Sequence, residues 1–192
     1  RDNVDILYDR AKTIAEAAAM MANVTHEIDL ISGIYEIQPN RTGAGILQKN
    51  LEFLGDISYS DEEIKYANTI LKEAGKPEKG IDGKINPLRE TFPAQGGSTD
   101  VGDVSQVVPV ISLSATAAAK GGPWHSWAVV ACTGISIGHK GLVYASKALA
   151  MTMFDLYENP KLLESVKKDF LEKKGDKVYE PRIPSGPLRL ID

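Results

Sequence analysis

Apolar residues recur every three or four positions at the start of the chain. Val4, Leu7, Ala11, Ile14, Ala18 and Met21 in RDNVDILYDRAKTIAEAAAMMAN (1–23) predict an amphipathic helix. The period then shortens to two. In THEIDLISGIYEI (25–37), Glu27 and Asp29 alternate with Ile28 and Leu30, which predicts a half-buried strand with a bulge or bend at Gly33. Pro39 stops that pattern, and a domain boundary is placed here, between 1–40 and 41–192. A helix is expected over 44–54, capped by Thr42 and ended by Gly55. Another is expected over 59–75, with Ser60 or Asp61 at its start, acidic Glu62 and Glu63 in its first turn and Gly75 at its end.

KPEKGIDGKINPLRETFPAQ (76–95) carries three prolines and repeated turn signals, and reads as a long surface loop. Beyond it, the apolar runs over 106–114 and 128–132 are expected to be buried strands. A long helix is predicted over 136–157, with Leu142, Ala145, Leu149, Met153 and Leu156 facing a core. Asn159 caps a shorter helix that starts at Pro160 and runs to about Lys174. The proline-rich tail from Val178 reads as extended chain. The expected fold class is therefore α/β: a sheet flanked by helices over 41–192, preceded by part of a second, α+β domain.

Composition narrows the function classes. The 192 residues are 43% hydrophobic and 25% charged, an ordinary globular balance. A net charge of −4 and a pI near 5.5 argue against nucleic acid as a partner, and the lysines at 167, 168, 173 and 174 are interleaved with Asp169 and Glu172. No apolar run is long enough for a membrane helix. One cysteine, Cys132, allows no internal disulfide and fits a reducing, cytoplasmic setting as an inert core thiol. The chain opens at Arg1 directly into a helix, so a preceding segment is expected.

Candidate chemistry is sparse. QGGSTDVGDVSQVVPV (95–110) places Ser98, Thr99, Asp100 and Asp103 on a glycine-flexed stretch before an apolar run. The two carboxylates either cap turns or present one oxygen pair to a cleft. His125 lies between Trp124 and Trp127 among small residues, which places its ring in a semi-buried position beside a strand. It reads equally as a core histidine and as a functional one. His139 falls in the first turn of the long helix, where packing or capping is the plain reading and a protonated ring is disfavoured. His26 reads as a surface residue. One histidine and two aspartates are too few for a catalytic zinc site. The chain has no G-x-S-x-G elbow, Walker loop or C-x-x-C pair.

The segments GGSTDVGDVSQVVP, PWHSW, SIGHKGLVYASKALAMTMFDL and NPKLLESVKKDF, in this order, resemble the C-terminal portion of the M20 metallopeptidase family. Within it, they are similar to the branch of aminobenzoyl-glutamate amidohydrolases. LYDRAKTIAEAAAMMANVTHEIDLISGIYEIQPNRT resembles the second half of the family's inserted dimerisation (lid) domain and the return into the catalytic domain. The resemblance implies that His125 is a ligand in a two-metal site, of zinc or alternatively manganese or cobalt. It implies that Gly96, Gly97, Ser98 and Thr99 line the cleft near a substrate carboxylate, with Asp100 and Asp103 orienting a ligand or facing the cleft. Asn40 and His139 become candidate supports behind the ligands. The implied reaction is cleavage of N-acyl or N-aroyl amino acids, p-aminobenzoyl-glutamate-like, or of dipeptides by activated water, in a homodimer.

The family's His-x-Asp motif, its bridging acidic ligand and its paired glutamates have no counterpart here, so no residue of this chain is assigned as catalytic. The chain alone is expected to be inactive. The competing reading is a catalytically silent binding or dimerisation fragment. A hydrolase using His125 and Ser126 without metal lacks any nucleophile motif.

Overall fold

The computed structural model describes residues 2–89, 97–183 and 186. Among them are seven helices: α1 (Asp2–Ala22), α2 (Arg41–Leu54), α3 (Asp61–Glu73), α4 (Val101–Val107), α5 (Trp127–Thr133), α6 (Ser136–Glu158) and α7 (Pro160–Lys174). No strand forms among the described residues, so the expected α/β class and its sheet are overturned. The reasons differ by segment. Residues 25–37 and 108–118 leave the helices but meet no ladder partner, and a strand exists only through one. The run at 128–132 is helical because Ala128 and Cys132, one turn apart, bury together. A short apolar run does not distinguish helix from strand by period. Part of the expected strand at 106–114 is instead the end of α4.

The chain divides into two compact units. One comprises Arg1–Pro39, Ala94–Val110 and Lys173–Asp192, the other Asn40–Pro93 and Ile111–Glu172. In the second unit α3 packs on α5, α5 on α6, and α6 on α2. Its core joins Ala67, Ile70 and Leu71 of α3 to Ala119, Ala128, Cys132 and Ile137. Cys132 is fully buried, as expected of a core thiol.

The buried positions of α6 are Ile137, Gly138, Gly141, Ala148 and Thr152, whereas the face expected to be buried leaves Leu142, Leu149 and Met153 exposed. At the two glycines, close backbone approach decides this. A Cβ on Gly141 would lie 2.3 Å from the Thr116 carbonyl oxygen, and one on Gly138 would lie 2.1 Å from that of Thr133. Backbone passes there at a distance that only glycine permits. Asn50 of α2 completes the contact, donating to Thr152 Oγ1 at 3.1 Å and to Asp155 Oδ2 at 2.8 Å.

Helix starts are chemically explicit. Asn40, not Thr42, caps α2: its Oδ1 accepts the Gly43 N–H at 2.8 Å and its Nδ2 donates to the Val166 carbonyl at 2.8 Å. The Thr42 N–H goes to Asp169 Oδ2 at 2.8 Å, so α7 helps to close the open end of α2. Ser60 caps α3 in a reciprocal box with Glu63, and Asn159 caps α7 ahead of Pro160.

In the first unit, α1 turns Asp5, Tyr8, Ala15 and Ala19 inward, and Asp5 pairs with Arg182 at 3.2 Å. The stripe of Val4, Leu7, Ile14 and Met21 that predicted this helix is 53–87% exposed. No single helix among the described residues is long and apolar enough to cross a membrane.

Glu63 ties the start of α3 to the start of α6. Its side chain is 10% exposed, accepts Ser136 Oγ–H and Lys140 Nζ–H at 2.6 Å each, and accepts the Ser60 N–H at 2.7 Å. The Lys140 ammonium, then the Ser136 hydroxyl, lower its pKa from 4.5 to about 2. A depressed carboxyl stabilises the fold fully above its unfolded pKa and loses that contribution as pH falls through the folded one. With Lys140 partly solvated, the contribution is about 2–3 kcal/mol. Glu63→Gln should therefore lower unfolding free energy by about that much at pH 7. The gap should close between pH 4.5 and about 2. Urea titrations at several pH values measure it, and a gap independent of pH would exclude charge as the cause.

Candidate functional site

The stretch singled out in the sequence is built around α4. Gly96 lies outside the described residues. Gly97 has φ +127°, and Ser98, Thr99 and Asp100 are exposed. Thr99 Oγ1 accepts the Val101 N–H at 3.4 Å, and Asp100 occupies the N-cap position without bonding through its side chain. The residues that follow are committed to packing. Gly102 abuts residue 35 so closely that a Cβ would stand 1.8 Å from the Tyr35 carbonyl oxygen. Asp103 Oδ2 accepts the Tyr35 N–H at 3.1 Å, and Oδ1 accepts the Tyr179 hydroxyl at 2.9 Å. That hydroxyl bond raises the Tyr179 pKa, because losing the proton would set a phenolate against a carboxylate. Ser105, fully buried, accepts the Gln38 N–H at 2.8 Å, and Gln106 donates to the Glu36 carbonyl at 2.9 Å.

The carboxylates at 100 and 103 therefore differ. Asp103 is a clamp with both oxygens engaged; Asp100 is exposed beside Ser98 and Thr99. Period-based reading missed this because Gly102 and Ser105 are small and polar, and so carried no hydrophobic signal. Their spacing of three was the available clue to a helix packed at close range.

His125 lies in the turn before α5. Ser126 fixes that turn, donating to the Pro123 carbonyl at 2.6 Å and accepting the Ala128 N–H at 3.3 Å. The ring was expected to be semi-buried beside a strand; instead His125 is exposed, precedes a helix and has φ +58°. The left-handed region is open to glycine and costs other residues about 1–2 kcal/mol. Trp124 and Trp127 beside it are 73% and 53% exposed. His139 is exposed in the first turn of α6, and His26 is exposed as expected. Asn40 is the buried cap described above.

The predicted site residues fall in both compact units. Residues 97–103 lie in one, and Asn40, His125 and His139 in the other. Among the described residues no three His, Cys, Asp or Glu side chains group as metal ligands. His125 is an exposed imidazole on a turn fixed by Ser126, a side chain whose chemistry suits a metal ligand, and among the described residues it belongs to no group of three such side chains.

No family model matches the chain, and no solved structure does. Over 96% of its length, however, it is 30% identical to a protein of Escherichia coli (strain K12). That relative is one of the subunits of p-aminobenzoyl-glutamate hydrolase. This is the branch that the motifs resemble. The chain spans 44% of the relative's length. Being a hydrolase and being a subunit are properties of that relative.

Three substitutions test the local geometry. Gly102→Ala must displace backbone at Tyr35 and should cost roughly 2–4 kcal/mol. Gly45→Ala, with nothing within 4 Å of the new Cβ, should stabilise α2 by about 0.5–1 kcal/mol. His125→Gly should raise stability by about 1 kcal/mol through relief of its φ. Denaturant midpoints measure all three, and a destabilised His125→Gly variant would mean that the His125 ring makes contacts worth more than the strain.

Proposed function

We propose that this chain forms the C-terminal portion of a cytoplasmic, M20-type amidohydrolase that cleaves the amide bond of N-acyl or N-aroyl amino acids of the p-aminobenzoyl-glutamate kind, or of dipeptides. The observation that carries the reading is the 30% identity, along almost the whole chain, to the Escherichia coli p-aminobenzoyl-glutamate hydrolase polypeptide. His125 in its exposed, positive-φ turn is consistent with it, because such backbone persists where neighbouring structure fixes it and is enriched at functional sites.

In this reading His125 holds one ion of a two-zinc site, alternatively of manganese or cobalt. When bound, the metal pair supplies water activation and carbonyl polarisation. The residues of this chain bind and orient. The Ser126 cap keeps the His125 imidazole presented. Backbone N–H groups along 97–99, with the Thr99 hydroxyl, are suited to a substrate carboxylate. Asp100 orients a metal ligand or faces the cleft, whereas Asp103 sets the backbone through Tyr35 and Tyr179. The general base and the other metal ligands are assigned to polypeptide outside these residues, so the chain alone is inactive.

A second reading, a silent association module, has its own support in α1. Val4, Leu7, Ala11, Ile14, Ala18 and Met21 alternate spacings of three and four, the pattern of a helix-pairing seam, and the large members are exposed. The two readings are compatible, since homodimerisation through α1 does not involve His125.

The deciding experiment uses a protein of the relative's full length that contains this chain, with His125→Ala. Bound zinc should fall by about one ion per chain, and hydrolysis of p-aminobenzoyl-glutamate by at least about a hundredfold. Unchanged zinc content and rate would remove His125 from the site.

A further inference from the structure

Helix α6 carries a stripe of His139, Lys140, Val143, Tyr144 and Lys147, at spacings that place residues on one side of a helix. Facing it, Leu54 and Ile57 follow from the end of α2. Between them lies a groove of about 480 Å³, within the size range of small-ligand sites.

Its charged lining side chains are both lysines. They are Lys140 and Lys147, beside His139 and with no carboxylate in the lining, in a chain whose acids outnumber its bases 26 to 22; behind the lining, burial and then the Asp56 carboxylate raise the Tyr144 pKa. The cations are not equivalent. Lys140 is bound to Glu63, donates to the Ser58 carbonyl at 3.0 Å, and lies 5.4 Å from the centre of the Tyr59 ring. Its charge is thus satisfied within the protein. Lys147 is exposed and makes no ion pair among the described residues. The seven-residue step between the two lysines spans about 10.5 Å of helix rise, and Val143 and Tyr144 fill that interval. The Tyr144 hydroxyl donates to the Leu51 carbonyl at 3.2 Å, which leaves its ring, not its polar tip, for the groove.

We propose that this groove binds a small amphipathic carboxylate, with its apolar body against Leu54, Ile57, Val143 and Tyr144 and its carboxylate on Lys147. One unpaired ammonium beside an apolar floor suits a single negative charge on an apolar body. A phosphate dianion calls for more donors than the groove has. The proposal does not rest on the hydrolase reading, and neither His125 nor residues 97–103 take part.

The test titrates the isotope-labelled full chain with 3-phenylpropionate and, separately, with neutral 3-phenylpropanol, following amide shifts. The acid should saturably shift Val143, Tyr144 and Lys147, and should bind about two- to fivefold more tightly than the alcohol. Lys147→Glu should weaken the acid by at least about tenfold and leave the alcohol unchanged, with Lys147→Gln in between. Lys147 is exposed, so both variants should keep the parental unfolding midpoint. Equal binding of acid and alcohol, undiminished acid binding in Lys147→Glu, or shifts confined to other residues would overturn the proposal.

Discussion

The second unit depends on one carboxylate kept charged where little water reaches it. Glu63 sits in the first turn of α3 and receives a backbone N–H from its own cap, a hydroxyl from Ser136 and an ammonium from Lys140. Burying a charge is unfavourable unless donors replace the lost hydration, and here three do. The replacement is also directional. The starts of α3 and α6 are held side by side, which brings Ala67, Ile70 and Leu71 against Ala128, Cys132 and Ile137. The apolar core is small, and this polar bond sets its register.

Legibility from sequence tracked the kind of signal each element carries. The α3 start was readable because Ser60 and Glu63 form a box with defined spacing, and α7 because Asn159 precedes a proline. The stripe of α1 gave the helix correctly but not its buried side. The inward residues Asp5, Tyr8, Ala15 and Ala19 lie one position along from the apolar stripe. In α6 the error has a different origin, because close approach selects for absent side chains and hydropathy is blind to absence. Gly138 and Gly141 mark the packed face where Leu142 and Met153 suggested another. The expected strands failed because alternation reports a two-faced environment, whereas a sheet also needs a neighbouring strand.

For the candidate site, residue type was readable and environment was not. His125 was recognisable from PWHSW, but its positive φ and its exposure arise from the turn that Ser126 closes. Asp100 and Asp103 looked alike in sequence and have separate duties in the fold. Of the two, only Asp100 keeps its oxygens clear of the packing between α4 and residues 35–38.

The Asp103 clamp also bears on the order in which the molecule assembles. It joins residues 68 and 76 positions away, Tyr35 before it and Tyr179 after it, and the unit that it closes is collected from three separated stretches of chain. Loop closure over such distances lowers chain entropy well before any contact compensates. The other unit draws on two stretches that end before Tyr179 and has its own core, so it can gather before Tyr179 is in place. The first unit waits for Tyr179. Of the two units, the one that contains α1 is therefore completed later, and α1 spends that interval without the residues around Arg182 that hold it.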